Sequence, residues 1–199
     1  MDLTRTTTAL LDGLHDPDNA EAWTTFDTRY RPILFGLGRR LGLADADAAD
    51  IAQETILQFI KEYGSGRYDR ARGRLRSWLL GIARTRIAGI HRKRSTRREA
   101  AGASAIDIMP DEATMTTIWD AERRREILRT ALDALRTKTR TADRTIRAFE
   151  LLVLHQQPVA AVAAELGMSD HDVYLAKSRV TERLRDLVAQ VEHAYDEDA

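Results

Sequence analysis

A basic segment with a helical apolar period constrains the fold of this chain more than any other feature. In GRLRSWLLGIARTRIAGIHRKR, residues 73–94, apolar residues recur every three or four positions, as they do on one face of an α-helix. Arginines fill much of the remainder, so the segment is too apolar for a loop and too basic for an ordinary buried helix. It predicts a helix with one face in a core and a positive surface beside it. The apolar residues are Leu75, Leu79, Ile82, Ala83, Ile87 and Ile90.

The same period runs through most of the chain, and few segments have the alternation expected of strands. Helices are predicted near 20–42, 46–63 and 72–94, with three glycines between the last two. The stretch that follows is rich in small and polar residues and predicts a flexible linker. The expected fold class is therefore all-α, with two small helical domains joined by that linker. Their predicted bounds are 1–95 for an N-terminal helical bundle, 96–123 for the linker and 124–199 for a C-terminal helix-turn-helix domain.

Charge is segregated along the chain, although the formal net charge is zero. Between Lys61 and Arg98 there are 13 basic residues and two acidic ones, whereas acidic residues gather on either side. A polyanion such as nucleic acid would complement the basic face. The alternative is pairing of the two signs within the molecule. Exposed ion pairs contribute only about 0–1 kcal/mol each, so pairing alone is a weak reason for segregation.

Composition also excludes several classes of protein. Cysteine is absent, which excludes disulfides and thiolate metal sites. The N-terminus lacks the basic start and apolar run of a signal peptide, and no apolar run is long enough to cross a bilayer. We see no carboxylate cluster, His-x-x-x-His pair or phosphate-binding glycine loop. The expectations are a cytoplasmic protein without membrane insertion, cofactor, metal or catalysis of its own.

Residues 158–188 carry the pattern of a helix-turn-helix. Pro158 suits the first turn of a helix, Gly167 suits the left-handed residue that ends it, and Ser169 with Asp172 forms a capping box for the next helix. A plain helical hairpin is the alternative. In a helix-turn-helix the second helix enters the major groove of DNA. Its outward residues here, and the candidate DNA contacts, are His171, Tyr174, Leu175, Ser178 and Arg179, with Lys177 beside them.

The N-terminal block, residues 45–94, narrows the possibilities. It contains three ordered elements: Asp47, Ala48, Asp50, Ile51, Gln53, Glu54 and Thr55, then Tyr68, Asp69 and Gly73, then SWLLGIAR at 77–84. In these elements the block resembles the conserved region of extracytoplasmic-function (ECF) sigma factors, the initiation subunits of bacterial RNA polymerase. The similarity continues through ALDAL (131–135) and the helix-turn-helix, in the family's order. It departs at Thr85, Gly89 and Ile56, where the family often has Asn, Asp and Phe.

This resemblance implies three binding surfaces. Asp50, Gln53 and Glu54 would contact core RNA polymerase, and the helix-turn-helix would bind the −35 promoter element as duplex. The basic helix and the loop before it would bind the −10 element and hold its single strand open, with Trp78 serving either as core or as a stacking platform. The residues implied for the −10 element are Tyr68, Arg70, Arg74, Arg76, Arg84, Thr85, Arg92, Lys93 and Arg94.

The implied partners are core RNA polymerase and promoter DNA, with an anti-sigma factor or another regulatory protein as a further candidate. A free-standing helix-turn-helix regulator is the alternative function. It would need a sensing or dimerising N-terminal domain in place of a basic, strand-binding one. An enzyme acting on nucleic acid is a third class, which the missing catalytic motifs disfavour.

Overall fold

The computed structural model describes residues 6–16, 18–69, 73–100, 111–139 and 141–196, and all regular structure within these ranges is helical. The predicted all-α fold class is confirmed. The chain divides into two compact units, Met1–Glu126 with Asp196–Ala199, and Ile127–Tyr195. The helices are α1 (Thr7–Gly13), α2 (Ala20–Arg40), α3 (Asp45–Gly64), α4 (Leu75–Ala100), α5 (Glu112–Lys138), α6 (Asp143–Phe149), a π-helical turn (Glu150–Leu154), α7 (Val159–Leu166) and α8 (Asp170–Ala194).

The first unit is built on α2, α3 and α4, which correspond to the three helices predicted from the apolar period. Phe26 of α2 stacks on Phe59 of α3, with ring centroids 4.9 Å apart. The predicted apolar face of α4 is buried at Leu75, Leu79, Ala83 and Ile87, whereas Ile82 and Ile90 are half-buried. Burial of this face is what the hydrophobic effect requires of an amphipathic helix.

Helix α1 was not predicted from the sequence. It buries Leu10 and Leu11 and also makes polar contacts with the other helices. Thr7 and Tyr30 share a hydrogen bond of 3.2 Å, and the Tyr63 hydroxyl donates to the Leu11 carbonyl at 2.6 Å. Residues 7–13 are too few for an apolar period to stand out, and their helix depends on these contacts.

The structure corrects the predicted linker at 96–123. Helix α4 continues to Ala100, and α5 begins at Glu112, so the prediction is wrong at both ends of the segment; residues 101–110 lie outside the described residues. Met115 and Trp119 are buried within the first unit, and Trp119 stacks against Tyr30 with ring centroids 6.4 Å apart. The first unit therefore extends to Glu126 instead of ending at 95.

Two further features define the first half of α5: a cap at its start and a close contact with α2. Asp111 caps the helix by accepting a hydrogen bond of 2.7 Å from the Thr114 backbone N–H. The Glu122 side chain, only 7% exposed, lies over Gly36 of α2 and pairs with Arg40 at 3.1 Å. Any side chain at position 36 would meet this carboxylate, so the glycine allows the close approach.

The second unit has the predicted local signals. Gly167 ends α7 with φ of 60°, and Ser169 caps α8 by accepting from the Asp172 backbone N–H at 3.1 Å. Pro158 lies one residue before its predicted place in the first turn, as the N-cap of α7. On the inward face of α8, Val173, Ala176, Val180 and Leu187 are buried and Leu184 is half-buried. The core of this unit includes Ala148, Leu151, Val162, Ala163, Val173 and Ala176.

Candidate nucleic-acid interface

The residues predicted to contact polymerase lie on one face of α3. Asp50, Gln53 and Glu54 are exposed, and their spacing of three and four residues places them side by side on the helix. Leu57, which is 47% exposed, follows on the same face. The sequence analysis missed it, although its position three residues after Glu54 continues the same spacing. This surface thus offers both charge and an apolar side chain to a partner.

Tyr68, predicted to bind the −10 element, belongs to an aromatic cluster and is half-buried. Its ring centroid lies 5.7 Å from that of Phe59, 5.8 Å from that of Tyr63 and 5.5 Å from that of Trp78, which it meets edge-on. Packing on three sides fixes the orientation of the ring. Burial, with a smaller contribution from Asp12, raises the pKa of Tyr63.

Trp78 is half-buried and forms part of the wall of a cavity of about 470 Å³. Its indole N–H donates to Glu62 Oε2 at 2.6 Å. It is thus held by its ring edge and is neither a wholly buried core residue nor a free platform. The cavity lies between α3 and α4 and is lined by Gln58, Glu62, Ser77, Trp78, Gly81, Ile82, Thr85 and Arg86.

The predicted −10 residues of α4 differ in exposure. Arg74, Arg84, Thr85 and Arg92 are exposed. The Thr85 hydroxyl donates to the Gly81 carbonyl within the helix at 3.1 Å. Arg70 and the side chains of Lys93 and Arg94 lie outside the described residues.

Two arginines of α4 form ion pairs with neighbouring helices, so the alternative of internal charge pairing holds in part. Arg76 pairs with Asp120 of α5 at 3.0 Å, and each side chain is about one-third exposed. Arg86, whose spacing places it near the apolar face, pairs with Glu54 of α3 at 3.3 Å. The pKa of Asp111 is lowered by hydrogen bonds from the Thr114 hydroxyl and backbone N–H, with a smaller contribution from the charge of Arg84.

The candidate contacts of the helix-turn-helix lie along the first three turns of α8. His171, Tyr174, Lys177, Ser178 and Arg179 are all exposed, whereas Leu175 is half-buried. Tyr174 is 56% exposed, which is high for so large an aromatic side chain. Within the described part of the chain, neither Lys177 nor Arg179 forms an ion pair. These groups are therefore open to phosphates and base edges.

The start of α8 is fixed by reciprocal hydrogen bonds. The Ser169 hydroxyl donates to Asp172 Oδ2 at 2.7 Å and accepts from the Asp172 backbone N–H. Hydrogen bonds from the Ser169 hydroxyl and backbone N–H lower the pKa of Asp172. The Asp172 carboxylate thus has a role in helix capping.

Among the described residues, no group of three or more His, Asp and Glu side chains is arranged to hold a metal ion. Nor does any helix in that part of the chain combine the length and apolar character that a bilayer span needs.

Residues 26–98 match the family Sigma-70 region 2, and this part of the chain is therefore a sigma-70 region 2 domain. It covers α3, most of α2 and nearly all of α4, including the candidate polymerase-binding residues and the basic helix. Helix α1 and the half of α5 that packs in the first unit (residues 112–126, the docked half of α5) lie outside the matched segment. Comparison with curated proteins and with solved structures gives no match.

Proposed function

We propose that this chain, with its sigma-70 region 2 domain, is a sigma factor of the ECF subfamily. It would bind core RNA polymerase, recognise the −10 and −35 promoter elements, and direct transcription initiation in the cytoplasm without catalysis of its own. The observation that carries the proposal is the match at residues 26–98 followed by a helix-turn-helix in a second compact unit.

The proposed polymerase contacts are Asp50, Gln53 and Glu54, with Leu57 added from the structure. Their support is that all four are exposed on one face of α3, opposite the buried Ile56 and Phe59. Protein–protein interfaces combine an apolar centre with a polar rim, and Leu57 with the polar residues beside it matches that arrangement.

The proposed −10 surface is the basic face of α4 with the loop before it. Arg84 and Arg92 are exposed and suited to bind phosphates, and the cavity beside Thr85 lies along the same helix, between α3 and α4. Tyr68 and Trp78 present fixed aromatic edges next to it. Arg76 contributes less than the sequence suggested, because its charge is already paired with Asp120.

The proposed −35 surface is the exposed face at the start of α8. Lys177 and Arg179 would contact phosphate or guanine, and Ser178 and Tyr174 would contact the backbone or base edges. The first turn of α8, fixed by Ser169 and Asp172, sets the position of these side chains.

A free-standing helix-turn-helix regulator remains the second candidate, and the α8 surface alone would suit it. The two proposals differ in whether the first unit binds polymerase.

In vitro transcription with purified core polymerase, on a library of fragments from the source genome, tests the proposal. We expect polymerase binding and initiation with the wild-type chain. The double variant Arg84→Glu/Arg92→Glu should still bind polymerase but fail to open promoters. Arg185→Glu, an equally exposed reversal further along α8, is the matched control and should behave as wild type. If the wild-type chain binds duplex DNA but neither binds polymerase nor directs initiation, the regulator replaces the sigma factor.

A further inference from the structure

A row of polar residues on α3 faces a row on α4 across the cavity. Glu54, Gln58 and Glu62 are spaced by four residues and so lie in line on α3. Glu54 pairs with Arg86 and Glu62 with Trp78, so the two rows run in opposite directions. The rows join the face of α3 proposed to bind polymerase to the face of α4 proposed to bind DNA.

Hydrogen bonds connect the residues of these two rows, which together we call the polar ladder. Glu62 accepts from the Trp78 indole at 2.6 Å and from the Gln58 amide at 2.7 Å. The Gln58 carbonyl oxygen accepts from Arg86 Nη2 at 3.4 Å, and Arg86 Nη1 lies 3.3 Å from Glu54 Oε2. Arg86 thus links the face of α3 proposed to bind polymerase to the face of α4 proposed to bind DNA.

Arg86 differs from the other arginines discussed on α4, because it both lines the cavity and pairs with a carboxylate of α3. It lines the cavity beside Thr85, where a nucleic-acid strand lying along α4 would bring a phosphate. Its side chain is 39% exposed, and its guanidinium is held by Glu54, whose side chain is 53% exposed. A carboxylate at this distance neutralises the cation and repels a phosphate that approaches it.

We infer that Arg86 is a DNA contact controlled by polymerase docking. In the free protein Glu54 holds the Arg86 guanidinium, and when polymerase engages Glu54 the guanidinium becomes available to a phosphate of the promoter strand. The inference rests on the proposed function, because it requires Glu54 to be part of the polymerase contact. It assigns a role to an arginine that is not among the residues implied for the −10 element by the resemblance.

The exposure of the Glu54–Arg86 ion pair limits how much its release can change the affinity for DNA. Ion pairs between half-exposed groups contribute at most about 1 kcal/mol, which limits the change in DNA affinity to about fivefold. Each phosphate contact added to a single strand also steepens the dependence of log affinity on log salt concentration by about 0.7. A merely structural role for the pair would leave this slope unchanged.

The first experiment uses the free full-length chain and a fluorescein-labelled single strand of 20 nucleotides of random sequence, measured by anisotropy at several salt concentrations. Glu54→Gln should raise affinity threefold to fivefold and steepen the salt slope by about 0.7. Adding Arg86→Gln should abolish both changes.

Asp45→Asn is the matched control, because it makes the same charge change on α3 and releases Arg39, an arginine of α2, from a pair of 2.7 Å. It should change affinity less and leave the slope near that of wild type. If Glu54→Gln and Asp45→Asn behave alike, or if the double variant keeps the gain, Glu54 does not mask Arg86 and the inference fails.

The second experiment measures the same strand with the polymerase-bound chain. Arg86→Gln should weaken binding threefold to fivefold more in the complex than in the free protein. An equal penalty in both states, with polymerase binding intact, overturns the docking-controlled contact but leaves the proposed function standing. Failure of the wild-type chain to bind polymerase overturns both.

Discussion

Helices α4 and α8 both carry the basic residues proposed to bind DNA, yet their charges are arranged differently. On α4, Arg76 and Arg86 are paired with carboxylates of neighbouring helices. On α8, Lys177 and Arg179 form no ion pair within the described residues and are exposed. The α8 surface is therefore ready to bind phosphate, whereas part of the α4 surface must first exchange one anion for another.

The largest effect is expected from removing the packing that brings Asp120 to Arg76. Trp119→Ala should lower the free energy of unfolding of the first unit by about 3–5 kcal/mol, because Trp119 is 2% exposed against Tyr30. Urea unfolding followed by tryptophan fluorescence measures this, since Trp23 and Trp78 remain in the same unit. Leu57→Ala, at an exposed site of that unit, should change stability by less than about 0.5 kcal/mol. Equal effects of the two variants would mean that residues 112–123 belong to the flexible linker predicted from the sequence.

The next largest effect is on DNA affinity, and it is compared between one arginine of α8 and one of α4. Arg179→Ala should weaken binding of the polymerase-bound chain to a promoter fragment selected from a random duplex library by about 1–3 kcal/mol. Arg76→Ala should change the same affinity by less than about twofold, because its ion pair with Asp120, about one-third exposed, already satisfies the charge. A larger loss from Arg76→Ala than from Arg179→Ala would reverse the comparison.

The smallest effect concerns the start of α8. Ser169→Ala should lower the stability of the second unit by about 1 kcal/mol at neutral pH, through loss of the helix cap. The pKa of Asp172 is lower in the folded state than in the unfolded state. Its carboxylate therefore stabilises the fold at pH values above the unfolded pKa of about 3.9, and this contribution is lost as the pH falls through the lowered pKa of the folded state.

Thermal unfolding followed by far-UV circular dichroism, from neutral pH to pH 3, measures both parts of this prediction. Ser169→Ala should also reduce the loss of stability below about pH 4. An acid response identical to that of the wild type would mean that Ser169 does not set the pKa of Asp172.

Features encoded by neighbouring residues were predictable. The turn at Gly167 and the cap at Ser169 depend on residues within a few positions of each other, and both occur as expected. The exposure of Asp50 and of Tyr174 also follows from the helical period alone.

Features that depend on distant partners were not predictable. Trp119 is buried only because Tyr30 lies opposite it, and the sequence between them gives no sign of that pairing. Likewise the partners of Arg76 and Arg86 depend on how α4 aligns with α5 and α3. The sequence revealed an excess of positive charge but not which arginines are already neutralised.

The docked half of α5 determines where this chain can be divided for separate study. A fragment ending at residue 98, the limit of the matched segment, would leave Tyr30 without Trp119 and expose the apolar surface that Met115 covers. Cutting after Glu126 keeps these contacts but severs α5 in its interior, which leaves a new helix end with four carbonyls lacking intrahelical partners. A fragment of the first unit therefore needs a few residues of α5 beyond Glu126, or a C-capping glycine added there, to end its last helix without loss.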